Sequence, residues 1–253
     1  MSYGFLKMKQ VIGSQFTEDV HGYGFGATVG MLYQPTEKIS FGLTFRSPMS
    51  ITLKGDFTWP LWGGGMGITL PTTMEVERKA TWPMWIAAGV AIKPTDKITI
   101  TADAQYTNWG DMDEISVTFS NTGWQMVPAL MGISALYPTV EDMFAYTLRW
   151  KDQIMWRFGM EYKISSKFAL RAGFYIDPHV SPEETMSIMV PQHAYTWVTV
   201  GFGYHTEKIN VDFGFEYGIG KDVHQTRDEF GFPVDNTYGM NLTVPAIAVT
   251  IRF

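Results

Sequence analysis

The sequence predicts an all-β protein: a transmembrane, antiparallel, up-and-down β-barrel with about ten strands present in the chain. Three observations carry this expectation. Apolar and polar residues alternate with period two in segment after segment, and short polar turns alternate with long connections. No apolar run approaches the ~18 residues that a spanning helix needs. The longest uncharged apolar stretch, 84–92, is interrupted by Gly89 and suits a tilted strand.

The strands follow in order. A short one is expected near Tyr3 to Lys9. From Tyr23 to Tyr33 the odd positions read Tyr, Phe, Ala, Val, Met, Tyr against Gly, Gly, Thr, Gly, Leu on the even ones. Pro35-Thr36-Glu37-Lys38 is a tight polar turn, after which Ile39, Phe41, Leu43 and Phe45 share one face and Ser40, Gly42, Thr44 and Arg46 the other. That is a β-hairpin. The unit returns around Lys93-Pro94-Thr95-Asp96-Lys97, then around Ser165-Ser166-Lys167, then around Thr206-Glu207-Lys208. A last strand runs from about Leu242 to Phe253. The long connections fall at 12–22, 55–73, 120–147, 178–193 and 220–240. Short turns on one side and long loops on the other is the build of an outer-membrane barrel, with the short turns periplasmic. One domain, 1–253, is expected.

Alternation alone does not say whether the apolar face meets lipid or a protein core. The polar face decides, because it mixes a few charges (Arg46, Asp103, Arg157, Glu161, Arg171, Asp212, Glu216) with many glycines. A soluble domain covers its outward positions densely with charge, whereas only 17% of this chain is charged. The apolar face ends in Tyr23, Tyr33, Tyr106, Trp156, Tyr162, Tyr204 and Tyr217, rings suited to the two water–lipid interfaces.

Composition removes whole classes of function. There is no cysteine, so no disulfide, thiolate metal site or cysteine nucleophile. A net charge of −6 without clustered Lys and Arg argues against a nucleic-acid partner. The five histidines show no metal-ligand spacing, and neither a metal nor a cofactor is expected. The glycines of Gly24-Phe-Gly26-Ala-Thr-Val-Gly30 alternate inside a strand, where a dinucleotide fingerprint does not function. The first residues lack the basic and apolar regions of a secretory signal, which predicts either a protein that is not exported or an N-terminus lying further upstream. At the other end, Ile247, Val249, Ile251 and Phe253 alternate with Ala248, Thr250 and Arg252. This resembles the assembly signal of outer-membrane barrels and predicts recognition by the barrel assembly machinery through Phe253.

Several stretches resemble one family, the long-chain fatty acid and aromatic hydrocarbon transporters of the outer membrane (FadL/TodX type). They are Gly22-Tyr-Gly-Phe-Gly-Ala-Thr-Val-Gly-Met-Leu-Tyr, Ile39-Ser-Phe-Gly-Leu-Thr-Phe-Arg-Ser-Pro, Ile51-Thr-Leu-Lys-Gly-Asp-Phe, Tyr106-Thr-Asn-Trp and Arg171-Ala-Gly-Phe-Tyr-Ile-Asp. Leu70-Pro71 opening a strand and Pro191 ahead of a Trp197-bearing strand also fit. The resemblance implies a barrel of about fourteen strands with an N-terminal hatch in its lumen. This chain begins where the middle of that pattern falls, so the hatch and about four strands are expected to be absent, unless ten strands close by themselves. It also implies residence in the outer membrane of a Gram-negative bacterium, among its lipids and lipopolysaccharide, and passive passage of fatty acids or hydrocarbons.

Two loops are candidate sites. The first, around Trp59, Leu61, Trp62, Met66 and Ile68, is too apolar for a loop in water and occupies the place of an outer loop that forms a hydrophobic landing groove in the family. Ligand capture is favoured there over simple loop packing or contact with lipid. The second, with Met126, Leu130, Met131 and Leu136, suits a short amphipathic helix that extends the groove or packs as a lid. The arginines of the polar face suit an internal ion-pair network better than reception of a carboxylate head group. No catalytic pair is legible, so a conduit without chemistry is preferred to a lipase-like barrel enzyme or a soluble ligand-binding barrel.

Overall fold

The computed structural model of the chain describes residues 2–10, 16–59, 71–120, 122–187 and 192–252. Among them are seventeen strands, numbered here in chain order, and two short helices. The chain divides into two compact units. Unit 1 comprises Met1–Ala27, Ser47–Pro83 and Asp111–Arg149, and unit 2 comprises Thr28–Arg46, Met84–Gly110 and Trp150–Phe253.

Unit 1 holds a six-stranded sheet of β1 (Ser2–Gln10), β2 (Phe16–Gly24), β5 (Met49–Thr58), β6 (Thr73–Trp82), β9 (Glu114–Phe119) and β10 (Tyr146–Thr147), in that spatial order. Unit 2 holds a nine-stranded sheet. Its order is β17 (Asn241–Ile251), β14 (Ile209–Gly220), β13 (Tyr195–His205), β12 (Phe168–Asp177), β11 (Gln153–Lys163), β8 (Ile98–Thr107), β7 (Trp85–Thr95), β4 (Ile39–Arg46) and β3 (Thr28–Thr36). Every neighbouring pair in it is antiparallel. Tight turns at 37–38 and 96–97 and bends at 164–167 and 206–208 sit where the sequence alternation breaks. Thr36 and Thr95 each brace their turn through a side-chain oxygen that accepts from the backbone N–H groups two and three residues on.

In unit 2 the apolar face is uncovered. Phe41, Leu43, Phe45, Trp156, Phe158, Met160, Phe174, Val198, Val200 and Phe213 are exposed, strand after strand. The opposite face carries Asp103, Arg157, Glu161, Arg171 and Asp212, all part-buried and paired. An apolar surface of this extent is far beyond what a soluble domain shows to water.

Unit 1 has the ordinary polarity. Phe16, Val20, Phe57, Trp59, Met74, Val76, Val117 and Phe119 are buried together, and the 122–145 segment supplies Trp124, Val127 and Val140 to cover them. The outward face carries Lys54, Glu77 and Lys79, with Glu77 bound to Lys54 at 2.9 Å and to Lys79 at 3.2 Å. Hydrogen bonds from those two lysines hold the Glu77 carboxyl below its ordinary value.

Two expected connections are more ordered than the sequence suggested. The 12–22 stretch belongs largely to β2, and the 220–240 stretch folds back as a hairpin of β15 (Val223–Arg227) and β16 (Pro233–Tyr238). The Asp228 carboxylate accepts from the Phe230 and Phe232 N–H groups, and Gly231 turns the chain at φ +84°. A side chain at that position would be strained.

Candidate functional site

The 122–145 segment is built to hold a fixed shape on unit 1. Helix α1 (Val127–Leu130) starts with Pro128 in its first turn, where the missing N–H costs nothing, and ends before Gly132 at φ +71°. Helix α2 (Val140–Phe144) has a full capping box between Thr139 and Asp142. Glu141 ties the segment together, accepting from Gln125 at 2.6 Å and from the Phe119 N–H at 3.4 Å. The Trp124 indole donates to the Pro71 carbonyl at 3.1 Å.

A buried ion pair lies in this core. Glu18 and Arg78 are 0% and 1% exposed, and the guanidinium grips the carboxylate through Nε and through a second nitrogen at 2.9 Å. Its remaining reach goes to the Phe144 carbonyl at 2.9 Å, and its face lies 5.0 Å from the Tyr146 ring. Burial pushes the Tyr146 phenol above its ordinary value, with the Arg78 charge acting the other way. The sequence signal for this pair was available: Glu18 shares its parity with Phe16 and Val20, and Arg78 shares its own with Met74, Val76 and Ala80.

The expected capture residues divide. Trp59 is 4% exposed, packed 5.5 Å from Trp124 and 5.3 Å from Phe144, centroid to centroid. It is a core residue of unit 1 and presents no surface to a ligand in this conformation. Leu61, Trp62, Met66 and Ile68 lie outside the described residues. In the second loop Met126, Met131 and Leu136 are exposed and Leu130 is half-buried. These apolar side chains stand on a braced segment above a packed core, a surface that a hydrophobic solute can cover.

On the polar face of unit 2, the expected charges form a chain of pairs. Arg157 reaches Asp103 at 2.6 Å, and Arg171 bridges Glu161 at 2.8 Å and Asp212 at 2.5 Å. His205 adds a contact to Asp212 at 2.9 Å, and the Tyr175 hydroxyl donates to Glu216 at 2.9 Å. Among the described residues Arg46, at the end of β4, has no ion-pair partner. Asp103, Arg157, Glu161, Arg171 and Glu216 line a cavity of about 480 Å³ floored by Gly159 and Gly173. Among the described residues no three His, Asp or Glu side chains converge on a metal site.

A nine-stranded antiparallel sheet with charges paired on one face and bare apolar side chains on the other defines the wall of an outer-membrane β-barrel. No described helix is long and apolar enough to cross a membrane, so any crossing is made by strands. Residues 11–253 match the family described as outer membrane protein transport protein (OMPP1/FadL/TodX). The chain belongs to that family, and its place is the outer membrane of Gram-negative bacteria.

The chain is 23% identical over 218 residues to the long-chain fatty acid transport protein of Escherichia coli, which covers 83% of this chain and 45% of that protein. Among solved structures, it superposes on a Pseudomonas aeruginosa FadL homologue with TM-score 0.77 at 15% identity, covering 94% of this chain and 54% of that one. The Ralstonia pickettii toluene transporter TbuX gives TM-score 0.56 at 18% identity, covering 83% of this chain and 46% of that one. This chain spans about half the length of the curated relatives it matches.

Proposed function

We propose that the protein carrying this chain moves hydrophobic compounds across the outer membrane by passive diffusion through, or laterally out of, the barrel. Long-chain fatty acids are the favoured solute, and hydrocarbons fit the same apolar surfaces, since nonpolar contacts discriminate weakly between them. The carrying observation is the exposure of the apolar side chains Met126, Met131 and Leu136 on a segment braced by hydrogen bonds. Each such side chain is already more than half buried, so covering its remainder contributes about 0.5 to 1.3 kcal/mol. The named relatives transport a fatty acid and toluene, in keeping with this reading. It involves no covalent chemistry and no enzymatic step. Surrounding lipid and lipopolysaccharide, and the barrel assembly machinery, are its proposed partners; Phe253, the residue expected to engage that machinery, lies outside the described residues.

The test replaces Met126, Met131 and Leu136 together by serine in the full-length protein. Fatty-acid uptake is expected to fall at least tenfold at low solute concentration, the equivalent of losing about 1.4 kcal/mol of capture. Heat-modifiable gel mobility should be unchanged. Undiminished uptake by a correctly assembled triple variant would remove this loop from the capture step. Trp62→Ser, measured in parallel, asks the same question of the 60–70 stretch.

A further inference from the structure

The Tyr175 ring lies flat on Trp197, 5.4 Å between centroids at 12°, and Tyr175 lines the cavity on the polar face of unit 2. One pleat further along the strands, four buried polar atoms have no hydrogen-bond partner among the described residues: Gln153 Oε1, His179 Nε2, Tyr195 Oη and Trp197 Nε1. Gln153, Tyr195 and Trp197 belong to one neighbourhood, and His179 follows two residues after Asp177 in the chain. Gln153 Nε2 donates to Asp177 Oδ1 at 3.2 Å, Asp177 sits opposite Tyr195 across the β12–β13 ladder, and the Tyr195 and Trp197 rings are 5.5 Å apart. Tyr195 and Trp197 are each 7% exposed. Gly218 makes room for the indole, since a Cβ there would come within 2.9 Å of the Trp197 ring.

Unpaired polar atoms in one buried place are costly, and native proteins leave few. Their chemistry is selective. Trp197 Nε1 only donates and Gln153 Oε1 only accepts, while Tyr195 Oη and His179 Nε2 serve either way. A hydroxyl answers both needs at once, because it offers one O–H and two lone pairs. A carboxylate only accepts, leaves Gln153 unmatched and would lie beside the Asp177 carboxylate. An ammonium only donates and leaves Trp197 unmatched.

We propose that this end of the polar face is a binding site for the hydroxyl group of a neutral hydrophobic solute, reached from the cavity when the Tyr175 ring turns off Trp197. The inference rests on the conduit reading above and adds a substrate class to it: alcohols or phenols carried by an apolar body. The site ranks such compounds above hydrocarbons of equal length, whereas a fatty acid passes the conduit without its head group being held here.

The test is isothermal titration of the full-length protein in nonionic detergent with dodecan-1-ol, dodecyl methyl ether and dodecanoate. The ether keeps the apolar body and an acceptor oxygen but cannot donate. The alcohol is expected to bind about fivefold to tenfold tighter than the ether, the worth of one hydrogen bond to a buried acceptor. Gln153→Met, which removes the acceptor of the solute O–H, should erase that preference and leave ether binding unchanged, whereas Trp197→Phe, which removes a donor that either oxygen can use, should weaken alcohol and ether alike. Tyr195→Phe deletes only an unpaired hydroxyl and provides a second variant on a different strand, so a loss of preference shared with Gln153→Met is not an effect of the lost Gln153–Asp177 hydrogen bond. Equal binding of alcohol and ether, as when the atoms pair with ordered water only or with another segment of the longer protein, overturns the proposal while sparing the conduit reading. A preference that survives both Gln153→Met and Tyr195→Phe also overturns it. Binding of dodecanoate without the alcohol overturns the proposal alone, and binding of none of the three overturns both.

Discussion

Replacing Arg78 by alanine is expected to destabilise the protein by about 3 to 5 kcal/mol, because it strands the Glu18 carboxylate in an apolar core. The loss goes beyond the ion pair. Arg78 also holds the Phe144 carbonyl and faces the Tyr146 ring, so the 122–145 segment loses its anchor to β6. Guanidinium unfolding followed by the fluorescence of Trp59 and Trp124 should show an earlier transition, with new protease cleavage between 126 and 139. The double replacement Glu18→Met with Arg78→Met should recover most of the stability, since two packed apolar side chains replace a fully desolvated pair at little or no net cost. An Arg78→Ala loss under about 1 kcal/mol would show that the pair is solvated and the core loose.

A second large effect is expected at the centre of β13. Val200, 51% exposed between Ala172 and Phe215, stands on the bare apolar face of unit 2. Val200→Arg should cost about 2 to 4 kcal/mol in refolding into lipid, the value for a lipid-facing arginine near the bilayer midplane. Thr199→Arg, one residue away, turns toward the cavity beside Glu216 and should cost less than about 1 kcal/mol. Equal costs at the two positions would mean that neither face of β13 meets lipid.

Much of unit 2 was legible because period-two alternation and short turns determine which side chains share a face. Phe41, Leu43 and Phe45, or Val198, Val200 and Phe202, needed no tertiary knowledge to be placed together. What covers a face is a different matter. The odd positions of β4 are exposed while Met49, Ile51 and Phe57, also odd and just past Ser47-Pro48, are buried. Alternation is the same on both sides of that step, so it could not distinguish a lipid-facing strand from a core-facing one. By sequence alone Trp59 looks like a capture residue in an apolar loop, because its partners Trp124 and Phe144 lie far along the chain and only the fold brings them together. Glu18 and Arg78 were the available warning, two opposite charges on otherwise apolar parities. The β15–β16 hairpin escaped because its strands are short and its alternation weak.

The nine-stranded sheet is expected to turn its apolar face to lipid and its charged face inward. The absence of native cysteine makes this directly measurable by introducing single cysteines at 197 to 203 in the full-length protein in outer membranes. Cysteines replacing Val198, Val200 and Phe202 should resist a water-soluble maleimide, and a fluorophore attached there after denaturation and refolding should be quenched by brominated lipid tails. Cysteines replacing Thr199 and Gly201 should show no such quenching. Quenching at every position, at none, or at Thr199 and Gly201 in place of their neighbours would contradict the account.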